Sequence, residues 1–192
     1  FPTENIWPHL WETVLPGYVI TTLELLAGAA LGTILIGVSA AWLITMCNFP
    51  GRRIFEWALV LPLAMPAYVV AYVYTDILEF AGPVQVLLRD LFGWKTSRDY
   101  WFPEIRSLGG AIVVMTMTLY PYVYLLARSA FLEQSSGVAE AARTLGCSPW
   151  AAFRRVSLPM ARPSIVVGAS LVLMETLNDF GTVDFFAVQT LT

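Results

Sequence analysis

The chain has 192 residues, 57% hydrophobic and 13% charged, with a formal net charge of −3. A soluble domain has roughly 45–50% apolar and about 25% charged residues, so a large water-soluble core is excluded. The small net charge gives no footing for a nucleic-acid partner. The apolar excess falls in four blocks, each long enough for a hydrocarbon core that takes about 20 apolar residues.

Residues 1–17 hold Trp7, Trp11, three prolines and the single histidine, His9. With Tyr18, the tryptophans suit a membrane–water interface, where an apolar ring with a polar edge is favoured. His9 has no second ligand at metal-binding spacing and reads as interfacial. The first expected span covers 19–46. Glu24 is its one ionisable residue, and Gly28 and Gly32 form a small-residue pair that lets helices approach closely. Arg52 and Arg53 follow in a short turn. The second span is expected over 57–80. Pro62 and Pro66 lie inside it and should kink or break it, as each removes a backbone donor.

Residues 81–108 form a polar excursion. Within it Val84, Leu87, Leu88, Leu91 and Phe92 fall on one helical stripe, with Gln85, Arg89 and Asp90 off it and Gly93 as a stop. This spacing predicts a short helix lying in the interface. The third span is expected over 109–126, with Pro121 inside, and the fourth over 164–186. The fourth carries Glu175, Asp179 and Asp184. Glu175 and Asp179 stand four residues apart, on one face if the helix is continuous. An acid at membrane depth faces a partner or a watery path, which makes this pair the candidate substrate contact. Hydrogen bonds to neighbouring helices are the alternative use of the same carboxylates.

Between the third and fourth spans runs a polar insert, about 129–163, containing EAARTLGCSPWAAFRRVSLP. Ser135 or Ser136 can cap a first short helix and Gly146 can stop it. Ser148-Pro149 can start a second, with Trp150, Phe153 and Val156 on one face, and Pro159 and Pro163 are expected to end it. A short helix with the small residues Ala141 and Ala142 on its surface fits a groove on a partner protein. The same pattern also fits a DNA-binding helix-turn-helix. The membrane lies too close on both sides to leave room for that domain's third helix. Seven arginines flank the insert and the 47–56 turn, against four basic residues on the other side, which places the insert in the cytoplasm. Cys47 and Cys147 then lie in a reducing compartment and form no disulfide framework. No signal peptide is visible before Phe1, and Thr192 stops in mid-phrase, so a piece of a longer polypeptide is expected.

In spacing, Glu140, Ala141, Ala142, Gly146, Val156, Leu158 and Pro159 resemble the EAA loop of ATP-binding-cassette importer permeases. Val156 stands where isoleucine is commoner. The stretches 49–74, 119–134 and 174–186 resemble, within that superfamily, the ferric iron permeases. Permeases for thiamine, polyamines and phosphonates share the architecture. The resemblance implies an all-α polytopic transmembrane helix bundle of the type I importer fold in the bacterial inner membrane, with four spans in this chain. It implies that Glu140, Ala141, Ala142, Arg143, Gly146, Leu158 and Pro159 dock on a cytoplasmic ATP-binding subunit. Further implied partners are a periplasmic or lipid-anchored substrate-binding protein and a second permease half, usually in the same polypeptide.

The chain shows no phosphate-cradling loop, activated nucleophile or metal cluster. It is expected to bind no cofactor and to hydrolyse nothing, the ATP being used by the partner. Pro62, Pro66 and Pro121 are the places where its helices would flex.

Overall fold

The computed structural model describes residues 14–94, 96, 99–100, 102–134, 144, 146 and 148–191. Among them there is no strand, and the molecule is built of helices. In chain order these are α1 (Leu15–Met46), α2 (Arg52–Ala58), a 3-10 turn (Leu61–Ala64), α3 (Ala67–Leu78) and α4 (Pro83–Phe92). Then come α5 (Leu108–Glu133), α6 (Pro149–Ala152), a π turn (Phe153–Ser157), α7 (Leu158–Asn178) and α8 (Phe180–Phe185). Three helical stretches among the described residues are long and apolar enough to cross a membrane: Leu15–Met46, Leu108–Glu133 and Pro149–Asn178. A fourth is the broken pair formed by α2 with the 3-10 turn and by α3 with α4.

The break in that pair has a local cause. Met65 is extended, at φ −113° and ψ 133°, and Pro66 caps α3. A residue before proline is pushed out of the helical region by the proline ring, so the helix cannot run through Met65. Pro62 sits in the first turn of the 3-10 segment, where its missing N–H leaves no gap. Pro121, by contrast, lies inside the unbroken α5.

The chain divides into two compact units. One comprises Ala30–Met65 and Thr116–Glu175. Here α5 is the enclosed element, with Val123, Tyr124 and Ala127 fully buried. Its neighbours approach at glycines. A Cβ on Gly37 of α1 would stand 2.9 Å from the Tyr124 backbone nitrogen and 3.0 Å from the Tyr120 carbonyl. One on Gly168 of α7 would stand 2.9 Å from the Val123 Cα. Small residues at these positions let whole backbones touch, the device that packs helices where lipid is as apolar as leucine.

The other unit comprises Phe1–Ala29, Pro66–Met115 and Thr176–Thr192. Gly28 here packs against Ile112 of α5, which confirms helix packing as the use of the first span's small residues. α8 ends with Ala187 at φ 52°, where its N–H reaches the Asp184 carbonyl at 2.9 Å. A side chain costs about 1 kcal/mol in that left-handed conformation. Ala187→Gly is therefore expected to raise thermal stability in detergent by about that amount, and an unchanged or lowered midpoint would refute the assignment.

Burial is inverted relative to a soluble protein. Leu23, Leu31, Leu35, Val166 and Val167 are exposed, while Thr22, Thr33, Thr116, Thr118 and Thr176 are buried. Several buried or half-buried hydroxyls turn back on their own helix: Thr22 donates to the Tyr18 carbonyl at 2.7 Å and Thr45 to that of Ala41 at 2.8 Å. A lipid solvent explains both, since it accepts leucine and leaves no water for a stray hydroxyl.

α4 follows the same logic. Leu87, Leu91 and Phe92 point outward, and Gln85 is buried, donating from Nε2 to the Leu78 carbonyl at 2.7 Å. Gly93, at φ 72°, stops the helix.

Candidate functional site

Of the residues expected to meet an ATP-binding subunit, Glu140, Ala141, Ala142 and Arg143 lie outside the described residues, as does His9. Gly146 is described and has φ 80°, a conformation that costs glycine nothing. Among the described residues nothing lies within 4 Å of the point where a Cβ would sit, and the backbone conformation is what distinguishes this position. Ser148 caps α6, its hydroxyl accepting from the Ala151 N–H at 3.3 Å, with Pro149 in the first turn.

The helix beginning at Pro149 does not end at Pro159 or Pro163, as its sequence suggests. It passes through the π turn into α7, which carries Leu158 and Pro159 in its first turn and Pro163 inside. A proline ring crowds the carbonyl one turn back and offers no N–H. The wider π turn immediately before Pro159 changes which carbonyls need donors there. The Ser157 carbonyl is met from another helix, by Gln134 Nε2 at 2.9 Å.

An aromatic cluster fixes this junction. Trp42 meets Trp150 with ring centroids 6.2 Å apart and Phe153 at 5.0 Å, and Phe131 lies 6.2 Å from Phe153. α1, α5 and the start of the Pro149–Asn178 helix are thereby joined within one unit. A movement of α6 is expected to reach the spanning helices through these rings.

The two candidate substrate acids do not share a helix face. α7 ends at Asn178, and Asp179 leaves the helix at φ −88°, ψ 72° to cap α8. Its carboxylate accepts from the Thr182 N–H at 3.0 Å and the Thr182 hydroxyl at 2.7 Å. An aspartate three residues before a threonine is a capping signal, and it competes successfully with continuation of the helix.

Glu175 lies one turn before the end of α7, half-buried, with the Tyr122 hydroxyl of α5 donating to it at 3.4 Å. No basic side chain forms an ion pair with it among the described residues. Asp184 is exposed. No three metal-ligating side chains converge among the described residues.

A second polar centre has no counterpart in the sequence reading. Arg128 of α5 forms a half-buried ion pair with Glu56 of α2, and the Tyr124 hydroxyl donates to the Glu56 backbone carbonyl at 3.3 Å. Arg128 Nε is buried and has no hydrogen-bond partner. Opposite charges at the ends of two apolar blocks were the available signal. Removing one partner strands the other. Arg128→Ala is expected to cost about 1–3 kcal/mol, and Glu56→Gln less, because the amide can still accept. Equal midpoints for the three proteins in thermal unfolding would discount the pair.

Residues 33–192 match the family described as "Binding-protein-dependent transport system inner membrane component". The chain is 30% identical over 171 residues to the molybdenum transport system permease protein ModB of Escherichia coli (strain K12), covering 89% of this chain and 69% of that protein. It is 28% identical over 187 residues to the sulfate transport system permease protein CysT of the same strain, covering 94% of this chain and 64% of that protein. The sulfate permease protein CysW of that strain is 30% identical over 174 residues, 91% of this chain and 54% of the protein. A crystal structure of an amino acid ABC transporter with histidines superposes on all of this chain and 80% of its own, at a TM-score of 0.63 and 18% identity. That likeness bears on the fold.

Proposed function

The chain belongs to the family of binding-protein-dependent transport system inner membrane components, and from that premise we propose that it lines the path of an ATP-driven importer for ferric iron. It is a permease subunit of the ATP-binding-cassette type, an inner-membrane protein and not itself an enzyme. Membership implies ATP-binding subunits and a substrate-binding protein as partners. The second permease half, in the same polypeptide, is part of the proposal.

Glu175 carries the substrate reading. Its carboxylate is held by a tyrosine hydroxyl and has no ion-paired cation among the described residues. Such a charge attracts a passing cation and repels an oxyanion. Ferric iron prefers hard oxygen donors. A single carboxylate gives brief contact, which a transport path needs, because tight binding would halt release. The resemblance of 49–74, 119–134 and 174–186 to ferric iron permeases supports the same substrate. Asp179, engaged as a cap, is assigned to starting α8.

A tetrahedral oxyanion is the second reading. The relatives' names, molybdenum and sulfate permeases, favour it.

In the proposed cycle, closure of the ATP-binding subunits pulls on Glu140–Arg143 and Gly146, and Leu158 and Pro159 pass the motion to α7. The spans then alternate their access, bending at Pro62 and Pro66. Pro121, inside an unbroken helix, is the least suited of the three prolines to flex.

Uptake by cells lacking the gene and complemented with the full-length protein tests the substrate. Labelled ferric iron is expected to accumulate, labelled molybdate and sulfate are not, and Glu175→Gln is expected to lower iron uptake about fivefold or more, the loss of about 1 kcal/mol of charge-assisted contact. Accumulation of the oxyanions with no response to Glu175→Gln would transfer the assignment to the second reading.

A further inference from the structure

Residues 102–105 form a strap with a cavity on each side, both within the unit that contains α3 and α4. On one side is a cavity of about 320 Å³ with a mixed lining. Its rim carries Glu79, Glu104 and Arg106, and its wall carries Phe80, Tyr100 and Phe102. On the other side is a groove of about 210 Å³, walled by Leu78, Val113, Val114 and Ile105. Phe102, Pro103, Glu104 and Ile105 line both.

The mixed cavity is a built feature. The Tyr100 hydroxyl donates to Gln85 Oε1 at 2.5 Å, and Arg89 donates to the Phe80 carbonyl at 2.8 Å. The Arg89 guanidinium also lies over the Phe80 ring, 4.0 Å from its centroid. Arg106 is held at the surface by two contacts: its guanidinium lies over the Phe185 ring, 5.4 Å from the centroid, and it pairs with Glu79. Its ion pair with Glu79 spans 3.4 Å, and both side chains are more than half exposed. An exposed pair of this kind contributes little and exchanges readily for a better partner.

We propose that the two cavities together hold one phospholipid with an amine-bearing headgroup. Three features select this occupant. The lining holds one cation, Arg106, paired with Glu79, and a second carboxylate, Glu104, a set that complements a phosphate joined to an ammonium and opposes a headgroup that is only anionic. The apolar groove runs along the first turns of α5, where Val113 is 52% exposed, so it opens on the face that a spanning helix turns to hydrocarbon. The headgroup cavity sits next to it, at the end of the span, where polar headgroups lie. The phosphate meets Arg106, the ammonium meets Glu79 and Glu104, and an acyl chain fills the groove.

The test uses the full-length permease with its ATP-binding subunits, reconstituted in equal phosphatidylethanolamine and phosphatidylglycerol and then washed of loosely held lipid. Native mass spectrometry of the retained lipid is expected to show phosphatidylethanolamine in excess. Arg106→Gln is expected to lower that retention about tenfold, the scale of one lost hydrogen bond to a charged group, with Arg106→Lys in between. If Arg106→Gln does not fold, Glu104→Gln is expected to shift retention toward phosphatidylglycerol. Equal retention of both lipids by the wild type would mean annular lipid only and would overturn the proposal. So would variants that keep the wild-type lipid but lose the substrate-binding protein, which would make the cavity a protein docking surface.

Discussion

Gly146→Val is expected to lower substrate uptake about tenfold or more while the protein remains in the membrane at wild-type amounts, and Gly146→Asn is expected to retain most of the activity. The contrast follows from φ 80° at this residue. A β-branched side chain in the left-handed region costs more than the 1–2 kcal/mol typical of other residues, so about a tenth or less of the loops would hold the required turn. Asparagine enters that region several times more readily than other side chains. Among the described residues no atom stands where a Cβ would sit, so neither change is expected to disturb their packing. Uptake, membrane abundance and co-purification of the ATP-binding subunit separate the effects. Wild-type uptake by Gly146→Val would show that the turn does not couple the subunits, and loss of protein from the membrane would show that Gly146 serves folding instead.

Gly37→Leu is expected to remove folded protein from the membrane. A Cβ at Gly37 meets backbone atoms of Tyr120 and Tyr124 at 2.9–3.0 Å, and the rest of a leucine has nowhere to go. Overpacking a dense interior costs about 1–3 kcal/mol, and it costs more when the obstacle is backbone, which cannot rotate aside. The penalty is a large share of a net stability of about 5–15 kcal/mol. Gly17, on the same helix, has nothing within 4 Å of its Cβ position, and Gly17→Leu serves as the control. Fluorescence-detected size-exclusion profiles should lose the folded peak for Gly37→Leu alone. A normal profile would mean that α1 and α5 are not held at this point.

The helical fold was legible because lipid imposes a simple code. Apolar blocks of spanning length, small residues at close contacts and a polar insert between spans all survive in composition and spacing. Local chemistry at helix ends was harder to read. Asp179 looked like a helix-face residue four positions from Glu175, yet Thr182 lay at capping distance, and the short-range hydrogen bonds decided the outcome. Pro159 and Pro163 looked like stops, because nothing in a single sequence announces a π turn. Partners far apart in the chain were invisible: Tyr122 and Glu175 are 53 residues apart, Glu56 and Arg128 are 72 apart. Periodicity identifies which face of a helix is polar but not what that face meets.

ATP-driven movement of ferric iron is the central proposal for this permease. The decisive measurement is accumulation of labelled ferric iron in proteoliposomes containing the full-length permease, its ATP-binding subunits and the substrate-binding protein. The account predicts accumulation only when ATP and the binding protein are both present, and its loss with Gly146→Val. Iron that enters equally well without ATP, or vesicles that take up molybdate or sulfate and exclude iron, would contradict it.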